Sequence, residues 1–148
     1  MTLAEQIQEG IKQATKDRLH LRLDTLRLAK AAILVKEKES HHENGVSDEE
    51  VIAALRAEVR KRQQSMETYK QVGRLEMVEQ LEAEIVVLEE FLPKQFSEVD
   101  LEAKVRAYLA EHPEVNHAGK LTGAMKKELG DLADGKVLMD VCKRVLGQ

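Results

Sequence analysis

Tryptophan is absent from this chain, and aromatic residues make up only 3% of it. A core without aromatics has to be built from Leu, Val, Ile, Ala and Met, which favours helices over a sheet. Proline and glycine are also scarce, with two and eight copies in 148 residues, so long uninterrupted elements are expected. The single cysteine, Cys142, excludes an intramolecular disulfide and fits a reducing compartment. No apolar run approaches the roughly 20 residues that cross a bilayer. Residues 1–10 carry Glu5 and Glu9 where a secretory signal would be basic and then apolar. The expected location is therefore cytoplasmic, with no membrane contact. A net charge of −4 excludes a protein coated in basic residues for nucleic acid.

Catalytic signatures are lacking too. No Gly-x-Ser-x-Gly elbow, Ser-x-x-Lys pair, phosphate loop or dinucleotide fingerprint occurs. Glu39-Ser40-His41-His42 contains one Glu-x-x-His step, where a di-metal bundle needs two such steps and two further carboxylates. It reads as a solvated loop, so no metal and no cofactor are expected. The glutamates at 76, 79, 82, 84, 89 and 90 read as a solvated helix face. Cys142 lies one turn after Leu138 and three residues before Val145, the spacing of a small core residue.

What the chain has is helical periodicity. Thr2 and Glu5 form a capping-box pattern ahead of Leu3, Ile7, Ile11 and Ala14, which predicts a first helix ending near Lys16. A second is expected from about Arg18 to Glu39. Its apolar residues (Leu19, Leu21, Leu23, Leu26, Leu28, Ile33, Leu34) cover more than one face, so contact from several sides is expected. Ser47 and Glu50 form a second capping-box pattern before a stripe of Ile52, Leu55, Val59, Met66 and Tyr69. Gly73 breaks that helix. Val78, Leu81, Ile85, Leu88 and Leu92 follow at near coiled-coil spacing, and an antiparallel helix pair is expected.

Pro93 marks the expected boundary between an N-terminal domain, 1–93, and a C-terminal one, 94–148. Ser97 can cap a fifth helix (Leu101, Val105, Tyr108, Leu109) that ends before His112-Pro113. Two more helices are expected, at 120–129 and 135–146. The predicted fold class is thus all-α: an N-terminal helical domain with a long antiparallel pair, plus a small C-terminal three-helix domain.

Charge concentrates usefully only near the end. Residues 117–148 hold six Lys or Arg against four Asp or Glu, an excess of two. Gly119-Lys120 opens one helix there and Gly135-Lys136 the next. Helix N-termini expose amides and partial positive charge, which suits phosphate, so Gly119 and Gly135 are candidate anion-binding positions. Lys120, Lys126, Lys127, Lys136, Lys143 and Arg144 are the candidate phosphate contacts.

The same residues carry a resemblance. Gly119-Lys120-x-x-Gly123-x-Met125 followed by Gly130-x-x-Ala133-Asp134-Gly135-Lys136 resembles the C-terminal motif of the GatB/YqeY family. Upstream, Thr25-Leu26-Arg27-Leu28, Lys30 to Ile33, Tyr69-x-x-x-Gly73-Arg74 and Glu84 through Leu92-Pro93-Lys94-Gln95 resemble stand-alone YqeY-type proteins. Thr122 departs from the pattern, which more often has an apolar residue there. The resemblance implies a tail similar to that of the B subunit of tRNA-dependent amidotransferases, enzymes that amidate mischarged tRNA with nitrogen from glutamine. It implies tRNA as a partner, an amidotransferase as a second partner, and carbon–nitrogen ligation by association, since no counterpart of the catalytic domain is present. A helical protein-interaction adaptor, docking through the Val78–Leu92 seam, is the alternative reading.

Overall fold

The computed structural model describes residues 1–40 and 45–148. Among them are seven α-helices and one 3-10 turn, with no strand, so the chain is all-α. No helix among the described residues is long and apolar enough to cross a membrane. His41 and His42 lie outside the described residues, and of the Glu-x-x-His step the structure describes Glu39, exposed near the end of the second helix. The chain folds as two compact units, Met1–Leu92 and Pro93–Gln148.

The first unit starts with α1 (Leu3–Lys16), whose capping box is formed in full by Thr2 and Glu5. Helix α2 (His20–Ser40) begins two residues later than the periodicity suggests. The cause is Arg18, which takes a left-handed conformation with φ 55°. The Leu19 amide then donates back to the Ala14 carbonyl at 3.0 Å, closing α1 before the chain turns. Helix α3 (Asp48–Gln71) opens on the Ser47/Glu50 capping box, and its Asp48 carboxylate also accepts the Leu3 amide of α1 at 3.0 Å. Gly73 then turns the chain into α4 (Leu75–Glu89). That helix ends before Leu92. Its last amides, Phe91 and Leu92, bond three residues back rather than four as the chain approaches Pro93.

One aliphatic cluster holds this unit together. Ile7, Leu26, Leu55 and Leu88, one from each helix, are all fully buried. Each such side chain contributes about 1.5–3 kcal/mol on burial. The face that α3 turns inward is Val51, Leu55, Val59 and Arg62, with Met66 half-buried beyond them. Ile52 and Tyr69 flank that stripe, half-buried.

Arg62 therefore occupies a position the 3.6-residue period assigns to an apolar residue. Its guanidinium bonds the Glu84 carboxylate of α4 at 3.0 Å and the Glu58 carboxylate one turn back at 2.7 Å. Gln80 donates to the second Glu84 oxygen at 3.2 Å. Glu84 is thus not part of the solvated acidic face expected of α4. It is largely buried, with 13% of its side chain exposed, while Glu76, Glu79, Glu82, Glu89 and Glu90 are exposed.

The second unit contains α5 (Glu98–Glu111), α6 (Ala118–Leu129), a 3-10 turn (Gly130–Leu132) and α7 (Gly135–Leu146). Its cluster is Leu101, Val105, Leu121, Met125, Ala133, Leu138, Val141 and Cys142. Ser97 caps α5 by accepting the Asp100 amide at 3.1 Å. The lead-in to α5 is fixed by the Phe96 amide on the Leu132 carbonyl and Gln95 on the Asp131 carbonyl, both at 2.8 Å.

Removing one member of a buried ion group strands the others. Arg62→Ala should lower the stability of the first unit by about 3–5 kcal/mol, read as a shift in the urea midpoint. A loss below about 1 kcal/mol would show that the carboxylates are solvated in solution.

Candidate functional site

The six candidate cations fall into two groups once their surroundings are described. Lys126 and Arg144 are engaged by the fold. The Lys126 ammonium donates to the Ala133 carbonyl, tying the end of α6 to the segment that leads into α7. Arg144 bonds Glu98 at 2.6 Å and approaches Glu102 at 3.6 Å, joining α7 to α5. The Glu98 carboxylate holds the Arg144 guanidinium above even its usual high value.

Lys120, Lys127, Lys136 and Lys143 are exposed and have no ion-pair partner among the described residues. Each helix carries two of them seven residues apart. Seven residues are close to two full turns, so each pair shares a face and spans about 10 Å along its axis. On α6 the buried residues are Ala118, Leu121 and Met125, and on α7 they are Leu138, Val141 and Cys142. Both lysine pairs lie on the opposite faces, away from the core. Gly123 leaves open space between Lys120 and Lys127. On α7, exposed Asp140 stands between Lys136 and Lys143 and offsets part of their charge.

The helix N-termini are closed by the chain itself. At α6 the Gly119 and Lys120 amides donate to Nδ1 of His117, at 3.1 and 3.4 Å. The Ala118 amide donates to the side-chain oxygen of Gln148 at 3.3 Å. The Leu121 amide donates to the His117 carbonyl at 3.0 Å. The three amides of the first turn, at 118–120, are therefore matched, and the Leu121 bond is the first of the helix's own ladder. Accepting at Nδ1 requires a neutral ring with its proton on Nε2. Gly119 has a steric role in this arrangement. A Cβ there would meet the His117 ring at 3.0 Å from Cε1 and 3.2 Å from Nδ1. At α7, Asp134 Oδ1 accepts the Lys136 and Val137 amides at 3.0 and 3.1 Å, so a carboxylate already occupies the place a phosphate would take. The amides of Gly119, Lys120, Lys136 and Val137 are thus taken up by the chain itself, while the side chains of Lys120, Lys127, Lys136 and Lys143 stay exposed.

Gln148 completes the α6 cap from the far end of α7. Gly147, at φ 73°, adopts the left-handed conformation that lets the Gln148 amide reach the Lys143 carbonyl at 2.8 Å. The turn aims the Gln148 side chain at α6, where its amide nitrogen donates to the Asn116 carbonyl at 2.6 Å. Sequence reasoning missed both His117 and Gln148 as caps. Asp134 was in view, immediately before a predicted helix start, and is an ordinary N-cap residue.

Thr122 is accommodated by donating its hydroxyl to the Ala118 carbonyl at 2.7 Å. Cys142 is fully buried, and burial pushes its thiol above the usual range, with a partial offset from the Thr122 hydroxyl. The Val78–Leu92 seam proposed for docking is covered within the first unit. Val78, Ile85 and Leu88 are buried, and Leu81 and Leu92 are half-buried.

Two outcomes follow from these contacts. His117→Ala should cost the second unit about 1 kcal/mol and reduce amide-exchange protection at residues 118–121, whereas His117→Asn retains most of the cap. Unchanged protection in the alanine variant would rule out the imidazole cap. Cys142 should react with a thiol reagent at least about tenfold slower in the native protein than in denaturant. Because its thiol is shifted upward, the native rate should keep rising beyond pH of about 8.5, where an exposed thiol begins to level off. Equal rates in both states would contradict its burial.

No curated protein matches the chain. A family model described as Yqey-like protein matches residues 4–146, which reach across both units, and the chain belongs to the YqeY-like protein family.

Proposed function

We propose that this protein is an RNA-facing binding module, with tRNA as its target class, associated with tRNA-dependent amidotransferase chemistry. The observation that carries the reading is the pair of exposed lysine ladders, Lys120/Lys127 on α6 and Lys136/Lys143 on α7, none with an ion-pair partner among the described residues. Each pair is rigidly presented by a capped helix on a packed core. Ammonium groups held this way meet backbone phosphates as point charges, which gives affinity without base readout. Membership of the YqeY-like family supports the assignment to a small helical tail-like protein. The link to glutamine-dependent amidation rests on the resemblance in the C-terminal motif, the cytoplasmic setting rests on the lone cysteine and the sequence composition, and both are part of the proposal.

A bland account of the lysines competes with this one. Lys127 and Lys143 lie in the last turns of their helices, where cations complement the helix dipole by about 0.3–1 kcal/mol each. That account does not extend to Lys120 and Lys136, which sit in first turns, where a cation is disfavoured.

Titration of the protein with tRNA across a salt series is the test. With two to four phosphates engaged, log K should fall against log salt with a slope of about −2 to −4. Reversing Lys120 and Lys136 to Glu should weaken binding and flatten the slope by about 2, with the fold intact. Absence of binding at low ionic strength, or binding indifferent to these reversals, would remove the RNA reading.

A further inference from the structure

Helix α2 presents a long apolar face that nothing in the first unit covers. It packs through Leu26, Ala29 and Ile33 on the opposite side. Leu21, Leu28 and Val35 remain 39%, 55% and 55% exposed. They recur every seven residues, so they line one narrow stripe. The positions three residues after each are Asp24, Ala31 and Lys38, also exposed. Together these six residues fill the two alternating seam positions of a heptad over two and a half repeats. The regular spacing fits a helix as the partner, because only another helix keeps such a seam in contact along its length.

The charges select which helix. Neither Asp24 nor Lys38 has an ion-pair partner among the described residues. They stand at opposite ends of the seam, with Leu28 and Ala31 at its centre. When this stripe meets a copy of itself running antiparallel, Leu28 of one chain faces the small Ala31 of the other. Val35 then faces Asp24, and the stem of Lys38 lies over Leu21 with its ammonium reaching the Asp24 carboxylate one turn away. The same ion pair forms twice, once at each end. A parallel pairing would instead set Asp24 against Asp24 and Lys38 against Lys38, which is repulsive. The surface is self-complementary about a two-fold axis, the geometry of a closed dimer.

We propose that α2 is a homodimer interface, formed by antiparallel pairing of the Leu21–Leu28–Val35 stripe with the same stripe of a second copy. The inference is independent of RNA binding, since the residues it uses lie in a different unit from the lysine ladders. Within the interface, Leu28 is the anchor. The Asp24–Lys38 pairs set direction more than affinity, as charges at the edge of a helix seam do.

Sedimentation of the full chain across a concentration series tests this. At roughly 100 µM the wild-type protein should run at twice its 16.7 kDa chain mass and dissociate on dilution. Leu28→Glu should give a monomer with unchanged helical content, because Leu28 takes no part in the core. Asp24→Lys should raise the dimer Kd roughly tenfold, since it reverses both symmetric pairs. The double exchange Asp24→Lys with Lys38→Asp should restore it. A wild-type monomer at that concentration would overturn the interface, as would a dimer that Leu28→Glu leaves intact. A dimer that Leu28→Glu breaks, but whose affinity after Asp24→Lys is not recovered by the double exchange, would overturn the antiparallel arrangement.

Discussion

Aliphatic side chains have to be buried here with little aromatic help, from a partly buried Phe91 in the first unit and Phe96 and Tyr108 in the second, and that requirement shapes both units. With 3% aromatics, each core is assembled from many modest contributions. In the first unit Ile7, Leu26, Leu55 and Leu88 each come from a different helix, so no helix can be lost without opening the cluster. The second unit is smaller, and small domains bury a low fraction of their surface. Its helix ends are tied by side chains: His117, Gln148, Asp134 and Ser97 on amides, Lys126 on a carbonyl, Arg144 on two carboxylates. A modest core and side-chain-capped helix ends thus act together in holding this unit.

Much of the helical architecture is legible in the residues because its signals are local. The Thr2/Glu5 and Ser47/Glu50 boxes, the Ser97 cap, the Gly73 turn and the His112-Pro113 stop each depend on neighbours within four residues. The burial of Cys142 follows from one helical face. Tertiary context decides the rest. Arg62 looks like one more exposed cation until Glu84 is brought opposite it by the α3–α4 pairing. The apolar residues of α2 cover more than one face, yet only the packed structure shows that Leu21, Leu28 and Val35 stay outside.

The candidate site shows the same division. Six cations are visible in the last 32 residues, but their sequence positions do not reveal which are engaged. Lys126 and Lys127 are adjacent and differ completely in role. One is turned toward the Ala133 carbonyl, while the other shares the outer face with Lys120. The glycine at 119 has a similar lesson. It suggests a backbone opened to phosphate, whereas its lack of a side chain makes room for the imidazole that closes the same amides. The helix termini of this unit are thus capped by its own side chains, and the exposed ammonium groups carry the proposed RNA contact.

The central claim is that binding resides in those ammonium groups. Amide chemical-shift mapping during a low-salt tRNA titration tests it most directly. The account predicts the largest changes around Lys120, Gly123, Lys127, Lys136 and Lys143, with the caps at His117 and Asp134 preserved. Changes confined to residues 1–92, or none at saturating tRNA, would contradict it.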